Sequence, residues 1–368
     1  MRDKRNKRKI KQYILIVITV ITVFFVGFTV FINYQMSLIP KMSFQEMLAY
    51  TTKNQQDAQI AVAIIQNDEV DISIYGENSK PLINQGTLYE IGSITKTMTS
   101  ALLCQLAYQD QISMDQSIDI WFDSSKKQHY PTLKQILSHT SGYKNYYFES
   151  PMLVNFFQRS NDFYNIDNHM INNRIASIEL ENKNYDFRYS NFGMAVAGLI
   201  IEKEYKQAYT DVLEDYLVHT LALNSTFIHI NDENDQKFWN WKQEDAYIAA
   251  GGLISTIDDM VRYVSVQLDD DGYLSMCHQK VANVNNQSSR NIKMGIRVDA
   301  VGLGWMIDEL DDIIWHNGAT SDYNSYFGFH KESNTAVIVL SNLSPNKGIP
   351  ATVMGVRLLK DKLRNHTD

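Results

Sequence analysis

Cysteine is nearly absent from this 368-residue chain: Cys104 and Cys277 alone cannot build a disulfide framework or a four-cysteine zinc site. The 6 prolines and 17 glycines are too few for a collagen-like or linker-dominated architecture. The 9 histidines are scattered, with no H-E-x-x-H and no i, i+4 pair, so metal catalysis is not expected and no cofactor is implied. Positive charge is in deficit, the net being −8 at pH 7. What is present, 44% hydrophobic and 21% charged residues, suits a folded domain rather than a disordered chain or a polytopic membrane protein.

The charge is unevenly placed. Residues 1–11 carry Arg2, Lys4, Arg5, Lys7, Arg8, Lys9 and Lys11 against Asp3, a basic head of +6. Removing +6 from −8 leaves −14 for residues 12–368, a body that does not supply the basic face phosphate binding needs. No nucleic-acid partner is therefore expected. Residues 13–32 run without a charge, rich in Ile, Val, Phe and Thr. As a helix they would span about 30 Å, the hydrocarbon thickness of a bilayer. The basic head is then cytoplasmic and everything after the span extracellular. A cleaved signal peptide is the competing reading, but the run exceeds the usual h-region and Asn33-Tyr34-Gln35-Met36 offers no small-x-small cleavage site. The expected organisation is a cytoplasmic head (1–11), a transmembrane signal anchor (12–33), a stalk (34–44) and an ectodomain (45–365).

Within the ectodomain, Ser43-Phe44-Gln45-Glu46 reads as a capping box opening a short helix. The apolar run 60–65, the polar turn Asn67-Asp68-Glu69, and Val70, Ile72 and Ile74 alternating with polar neighbours read as a hairpin. A short strand over 88–91 ends at Gly92, after which Ile94, Met98, Ala101 and Leu102 form the stripe of a buried helix. Residues 115–290 are mostly helical by pattern. Runs at 302–307, 313–316, 326–329 and 336–340 read as strands, and Val353, Val356, Leu359 and Leu363 mark a final amphipathic helix. Strands at both ends with helices between give an α/β (α+β) class: an antiparallel sheet of N- and C-terminal segments, flanked by helices, with a helical subdomain inserted at about 115–290.

Chemistry begins where strand gives way to helix. Ser93-Ile94-Thr95-Lys96 is an S-x-x-K tetrad; residues three apart share a helical face, so the Lys96 amine can sit beside the Ser93 hydroxyl. A serine hydroxyl is a weak nucleophile until a neighbouring base takes its proton. Alone the tetrad also fits a capping serine followed by a surface lysine. Three further segments change that reading: Tyr189-Ser190-Asn191 before an apolar helix, Trp315-His316-Asn317-Gly318-Ala319 ending a strand, and Leu137-Ser138-His139-Thr140-Ser141-Gly142. In this order they resemble the serine β-lactamase and penicillin-binding superfamily, closest to its class C-like branch of β-lactamases, DD-peptidases and esterases, over about residues 45–365.

The resemblance implies that Ser93 forms an acyl-enzyme and that Lys96 and Tyr189 form the proton-transfer pair. Asn191 would orient Lys96 and the substrate amide, and Gly318 would let its strand approach the substrate. The N–H groups of Ser93 and Ala319 would form an oxyanion hole. His316 stands where the family commonly has lysine, which puts β-lactamase activity in doubt, and no S-D-N or K-T-G is present. His139 could act as a base for Ser93, though its loop setting favours a structural role. Cys104 reads as a core residue and Cys277 as another buried or spare thiol. The acidic run 269–272 reads as a solvated turn, and the glycines of Ala249-Ala250-Gly251-Gly252-Leu253 as close packing near the site rather than phosphate binding. Pocket specificity is expected from the loops 143–157 and 231–242. The reading is a membrane-anchored extracellular serine hydrolase acting on a small-molecule or cell-wall polymer substrate, D-alanyl amides or esters. The alternatives are a β-lactamase proper or a non-turnover penicillin- or wall-fragment-binding sensor.

Overall fold

The computed structural model describes residues 17–19, 21, 22, 24, 25, 37–122, 129–230, 237–269 and 272–364. The basic head and most of the expected membrane span lie outside the described residues, as do the polar connection 231–236 and positions 270 and 271 of the acidic run. Among the described residues no helix is long and apolar enough to cross a membrane.

The main folded domain opens with α1 (Phe44–Thr52), whose capping box is complete: Ser43 Oγ accepts from the Glu46 N–H, and Glu46 Oε2 accepts from the Ser43 N–H at 2.7 Å. Next come β1 (Ile60–Gln66) and β2 (Glu69–Tyr75), joined by a two-residue turn in which Asn67 and Asp68 both have positive φ, the geometry that matches strand twist. Short β3 (Pro81–Leu82) and β4 (Tyr89–Glu90) follow. The chain then turns mostly helical through α2 (Thr95–Tyr108), α3 (Leu133–Leu137), α4 (Ser150–Gln158), α5 (Asn168–Ser177), α6 (Asn191–Tyr205) and α7 (Tyr209–Asp215). Beyond β5 (Phe227–Ile228) lie α8 (Ile248–Gly251), β6 (Leu253–Ser255), α9 (Ile257–Asp269) and α10 (Tyr273–His278). The last third holds β7 (Ala282–Asn283), α11 (Ser289–Lys293), β8 (Ala300–Val301), β9 (Met306–Asp308), β10 (Ile313–Ala319), β11 (Asn324–His330), β12 (Thr335–Ser341) and α12 (Ala351–Arg364).

Among the described residues, nine strands form one sheet in the order β3-β2-β1-β12-β11-β10-β9-β8-β7, while β4, β6 and β5 form a smaller one. The sequence ends meet in its middle: β1 lies antiparallel to β12 with Ile60 opposite Ser341. This is the mixed α/β architecture expected from strands at both ends of the chain. Because β1 is covered on both faces, its side chains divide between two cores. Ala61, Ala63 and Ile65 join the core on the side of α9, whereas Ile60 and Val62 join the core that holds Phe44, Met47 and Leu48 of α1 and Val353, Val356 and Leu359 of α12.

Three expectations need correction. Residues 302–307 are not one strand: the Gly302 N–H bonds the Trp305 carbonyl at 3.0 Å, closing a turn between β8 and β9. Cys104 and Cys277 are not separate thiols but a disulfide, with Cα atoms 6.6 Å apart, linking α2 to α10. In β2, Ile74 is buried as the alternation predicts, but Val70, beside the exposed Asn67-Asp68 turn, stands exposed.

Candidate active site

Two elements without side chains set the geometry. Gly92 follows Ile91 after β4 with a left-handed φ of +51°, which turns the chain from strand into the short helical turn Gly92–Ile94 and then α2. A Cβ on Gly92 would lie 2.7 Å from the Ala319 nitrogen, so the end of β10 closes directly on the residue before Ser93. At Gly318 a Cβ would lie 1.9 Å from the Ile91 carbonyl oxygen; only glycine permits that approach. The Ile91 carbonyl is held there by Ser325 Oγ at 2.8 Å and the Ile91 N–H by the Leu253 carbonyl at 3.0 Å. Ser93 and Ala319 thus border one small cavity.

Lys96 sits one helical turn beyond Ser93 and is wholly buried, its Nζ 2.9 Å from Ser93 Oγ. The amine also donates to the Ala250 carbonyl in a short contact. Among the described residues no carboxylate pairs with it, and burial drives its pKa well below the ordinary lysine range. Tyr189 is half-buried as a residue but its hydroxyl is enclosed and hydrogen-bonded to the Ser93 side chain. Lys96 Nζ lies over the Tyr189 ring at 5.0 Å from its centroid. Burial raises the Tyr189 pKa, so the phenol holds its proton at neutral pH.

His316 on β10 is fully buried 6.3 Å from Tyr189, ring centre to ring centre. Its Nδ1 lies 2.7 Å from the Asn317 carbonyl, which makes Nδ1 the protonated nitrogen and leaves Nε2 a buried atom with no hydrogen bond. Burial, and secondarily the charge of Lys96, lowers the His316 pKa to about 3: the imidazole is neutral. His139 packs against Tyr189, ring centres 4.6 Å apart and tilted by 36°; its Nδ1 accepts the Ser190 N–H and its carbonyl the Arg188 N–H. It braces the Tyr189 segment rather than touching Ser93. Ser190 caps α6 by accepting the Gly193 N–H at 2.8 Å, which places Asn191 in the first turn with its own N–H on Asn145 Oδ1. The Asn191 side chain lines the cavity at Ser93, but the carbonyl that orients Lys96 belongs to Ala250.

That cavity is small, about 50 Å³, bordered by Gly92, Ser93, Asn191, Ala250, Gly251 and Ala319 and walled by Phe163, Trp239, Trp241 and Tyr247. Larger clefts of about 570 and 500 Å³ lie around the β1–β2 turn and the end of α12, and neither is bordered by Ser93 or Lys96. Behind the cavity, buried Glu90 accepts the Trp239 N–H and the Thr320 hydroxyl. One carboxyl group therefore ties together the approach to Ser93, an aromatic wall and the residue after Ala319. Burial, outweighing those two donors, raises its pKa to about 7. Among the described residues no cluster of three His, Cys, Asp or Glu side chains could hold a metal ion.

The beta-lactamase family profile matches residues 44–354, spanning both cores and every motif above. The chain belongs to the beta-lactamase family. As a member it has the serine-hydrolase scaffold carrying S-x-x-K, Y-x-N and H-x-G. It is 23% identical over 313 residues to Protein flp of Staphylococcus aureus (strain MW2), covering 77% of this chain and 59% of that protein. The chain thus spans little more than half the length of that relative. Among solved structures, the β-lactamase/D-alanine carboxypeptidase of Yersinia pestis superposes with a TM-score of 0.70 at 19% identity, over 90% of this chain and 99% of that one. A class C β-lactamase of Rhodobacter sphaeroides gives 0.62 at 16% identity, over 84% and 95%. At such identities the likeness carries the fold.

Sequence reading missed Glu90, the Ala250 carbonyl and Phe163. Trp239 and Trp241 do fall within the expected specificity loop 231–242, and the aromatic W-N-W in an otherwise polar stretch was the available signal.

Proposed function

We propose that the chain is an extracellular serine hydrolase, tethered by residues 12–33, that works through an acyl-enzyme on D-alanyl esters or amides of cell-envelope polymers. The observation that carries this reading is the buried Lys96 amine, without a carboxylate partner among the described residues, 2.9 Å from Ser93 Oγ. A lysine whose pKa is depressed by desolvation is a neutral base where an exposed one is a cation. Ser93 Oγ attacks the carbonyl carbon, its proton passes to Lys96 Nζ, and the carbonyl electron pair moves onto the oxygen between the N–H groups of Ser93 and Ala319. Lys96 then returns the proton through the Tyr189 phenol to the leaving alcohol or amine as the scissile bond breaks. Water attacks the acyl carbon, giving its proton to the same pair, and Ser93 is released with its hydroxyl restored. Tyr189 acts here as a relay, because its raised pKa opposes a phenolate.

The neutral His316 separates the substrate classes. Penicillins and peptides ending in D-alanine carry a free carboxylate, and an uncharged imidazole offers it no counter-ion. A D-alanyl ester presents no such carboxylate, because the carboxyl carbon of its alanine is itself the scissile carbonyl and the leaving group is an alcohol. Esters are therefore the preferred substrates, ahead of DD-peptides and β-lactams. Steady-state kinetics on matched D-alanyl esters, D-alanyl-D-alanine peptides and penicillins test this, with the largest kcat/KM expected for the esters. Fast turnover of penicillins alone would make the protein a β-lactamase, and one stoichiometric burst followed by a blocked enzyme would make it a sensor.

A further inference from the structure

Six large apolar side chains stand exposed within twelve residues on and before α4: Tyr146, Phe148, Leu153, Val154, Phe156 and Phe157, the last at 75% exposure. Among the described residues from 44 onward, the other exposed large apolar side chains are the neighbours Leu82 and Ile83 and single positions, which is ordinary for a protein surface; a run of six is not. The helix is not awaiting a place in the core. Its one buried residue, Asn155, already donates to the Asp162 and Tyr164 carbonyls and fixes the return of the chain. The acid at its start, Glu149, is neutralised by Arg174 at 2.8 Å, and Lys144 and Arg159 flank the patch against exposed Asp162.

We infer that this face of α4 inserts into the outer leaflet of the bilayer that anchors the chain, setting the active-site opening against the membrane. The inference rests on the tethered reading above. The expected span ends at residue 32, and Ile39 is already packed on the second core, with the Pro40 carbonyl bonded by Arg357. Residues 33–38 can reach about 20 Å at full extension, so the domain cannot leave the membrane surface. Ile39 lines a groove of about 420 Å³ together with Gly318 and Ala319, which places the tether beside the strand end that borders Ser93. On the other side of the same cavity, Phe163 carries Tyr146 edge-on at 6.3 Å, so the α4 patch adjoins the opposite wall. The site therefore faces substrate attached to lipid or held close to the bilayer, rather than distant wall polymer.

The test uses the full chain reconstituted in vesicles of phosphatidylcholine with phosphatidylglycerol, in which brominated acyl chains quench tryptophan. Flotation under alkaline extraction first reports the anchor; loss of flotation overturns the tethered reading and this inference with it. In floating protein, Phe157→Trp is expected to add emission that bromolipid quenches several-fold more than that of Leu310→Trp, an exposed position outside the patch. Equal quenching at the two positions overturns the docking while the anchor stands, and a blue shift without bromolipid quenching assigns the face to a second copy of the chain instead. Phe156 and Phe157, although within the stretch 143–157 expected to shape the pocket, do not border the cavity at Ser93; the pair Phe156→Ser and Phe157→Ser is expected to lower kcat/KM on a lipid-linked ester at least tenfold while leaving a water-soluble ester within twofold. Equal losses on both substrates contradict a membrane role.

Discussion

Replacing Gly318 by alanine tests the geometry of the site at its tightest point. The added Cβ would lie 1.9 Å from the Ile91 carbonyl oxygen and 2.7 Å from Ser325 Oγ, where ordinary contact begins at 3.4 Å. Neither neighbour can yield cheaply, since one is backbone and the other is hydrogen-bonded to that same carbonyl. The end of β10 must retreat by about 1.5 Å, the difference between 3.4 and 1.9 Å. Ile91 stands two residues before Ser93 and Ala319 one residue after Gly318, so the retreat enters directly into the gap between the two oxyanion donors. Loss of one such donor lowers kcat by ~10²–10³, about 3–4 kcal/mol of barrier. Overpacking of a close contact lowers stability by ~1–3 kcal/mol, which a melting curve separates from the catalytic loss. The assay is single-turnover hydrolysis of a chromogenic D-alanyl ester at a temperature where both proteins are folded. A folded Gly318→Ala enzyme acylating within a few-fold of wild type would refute the reasoning, because no Cβ fits the strand in its present position.

Glu90 carries a pH-dependent prediction. Its folded pKa of about 7 exceeds the ordinary 4.5, so the folded state binds more protons between these values and stability falls as pH rises through that window. The shift corresponds to about 3 kcal/mol; Glu90→Gln is expected to flatten the melting temperature between pH 4.5 and 7 relative to wild type. For Lys96 the sign runs the other way in activity: acylation is lost as pH falls and the buried amine protonates, with a midpoint below the ordinary lysine value. Lys96→Met should lower acylation by ~10²–10⁴ while the fold is kept; a rate profile without an acidic limb contradicts the neutral-base role. The Cys104–Cys277 bridge spans 173 residues of sequence, and its removal by the double alanine variant should lower stability by ~2–5 kcal/mol in denaturant titration.

Much of this arrangement is legible in the sequence because it is local. The turn at Asn67-Asp68, the capping box at Ser43 and the stripe on α2 each declare themselves within one or two turns of chain. The Ser93–Lys96 contact follows from three-residue helical spacing alone. What is not legible is set by partners far along the chain. Ala250 reaches Lys96 across 154 residues and Thr320 reaches Glu90 across 230, and neither carries a side-chain pattern that announces the contact. The Cys104–Cys277 pairing fails for the same reason, and the run 302–307 misleads because an apolar turn buried beneath α2 has the composition of a strand. The neutrality of His316 also needs the fold, since it comes chiefly from complete burial and secondarily from the approach of Lys96.

The most direct measurement of the central proposition is intact-mass and peptide-level mapping of the covalent adduct after the full-length protein is quenched during turnover of a D-alanyl ester. The mass gained should equal one D-alanyl group, reside on the peptide containing Ser93, and vanish in Ser93→Ala. An adduct on any other residue, or one that persists undiminished in that variant, would contradict the assignment of the nucleophile and with it the acyl-enzyme.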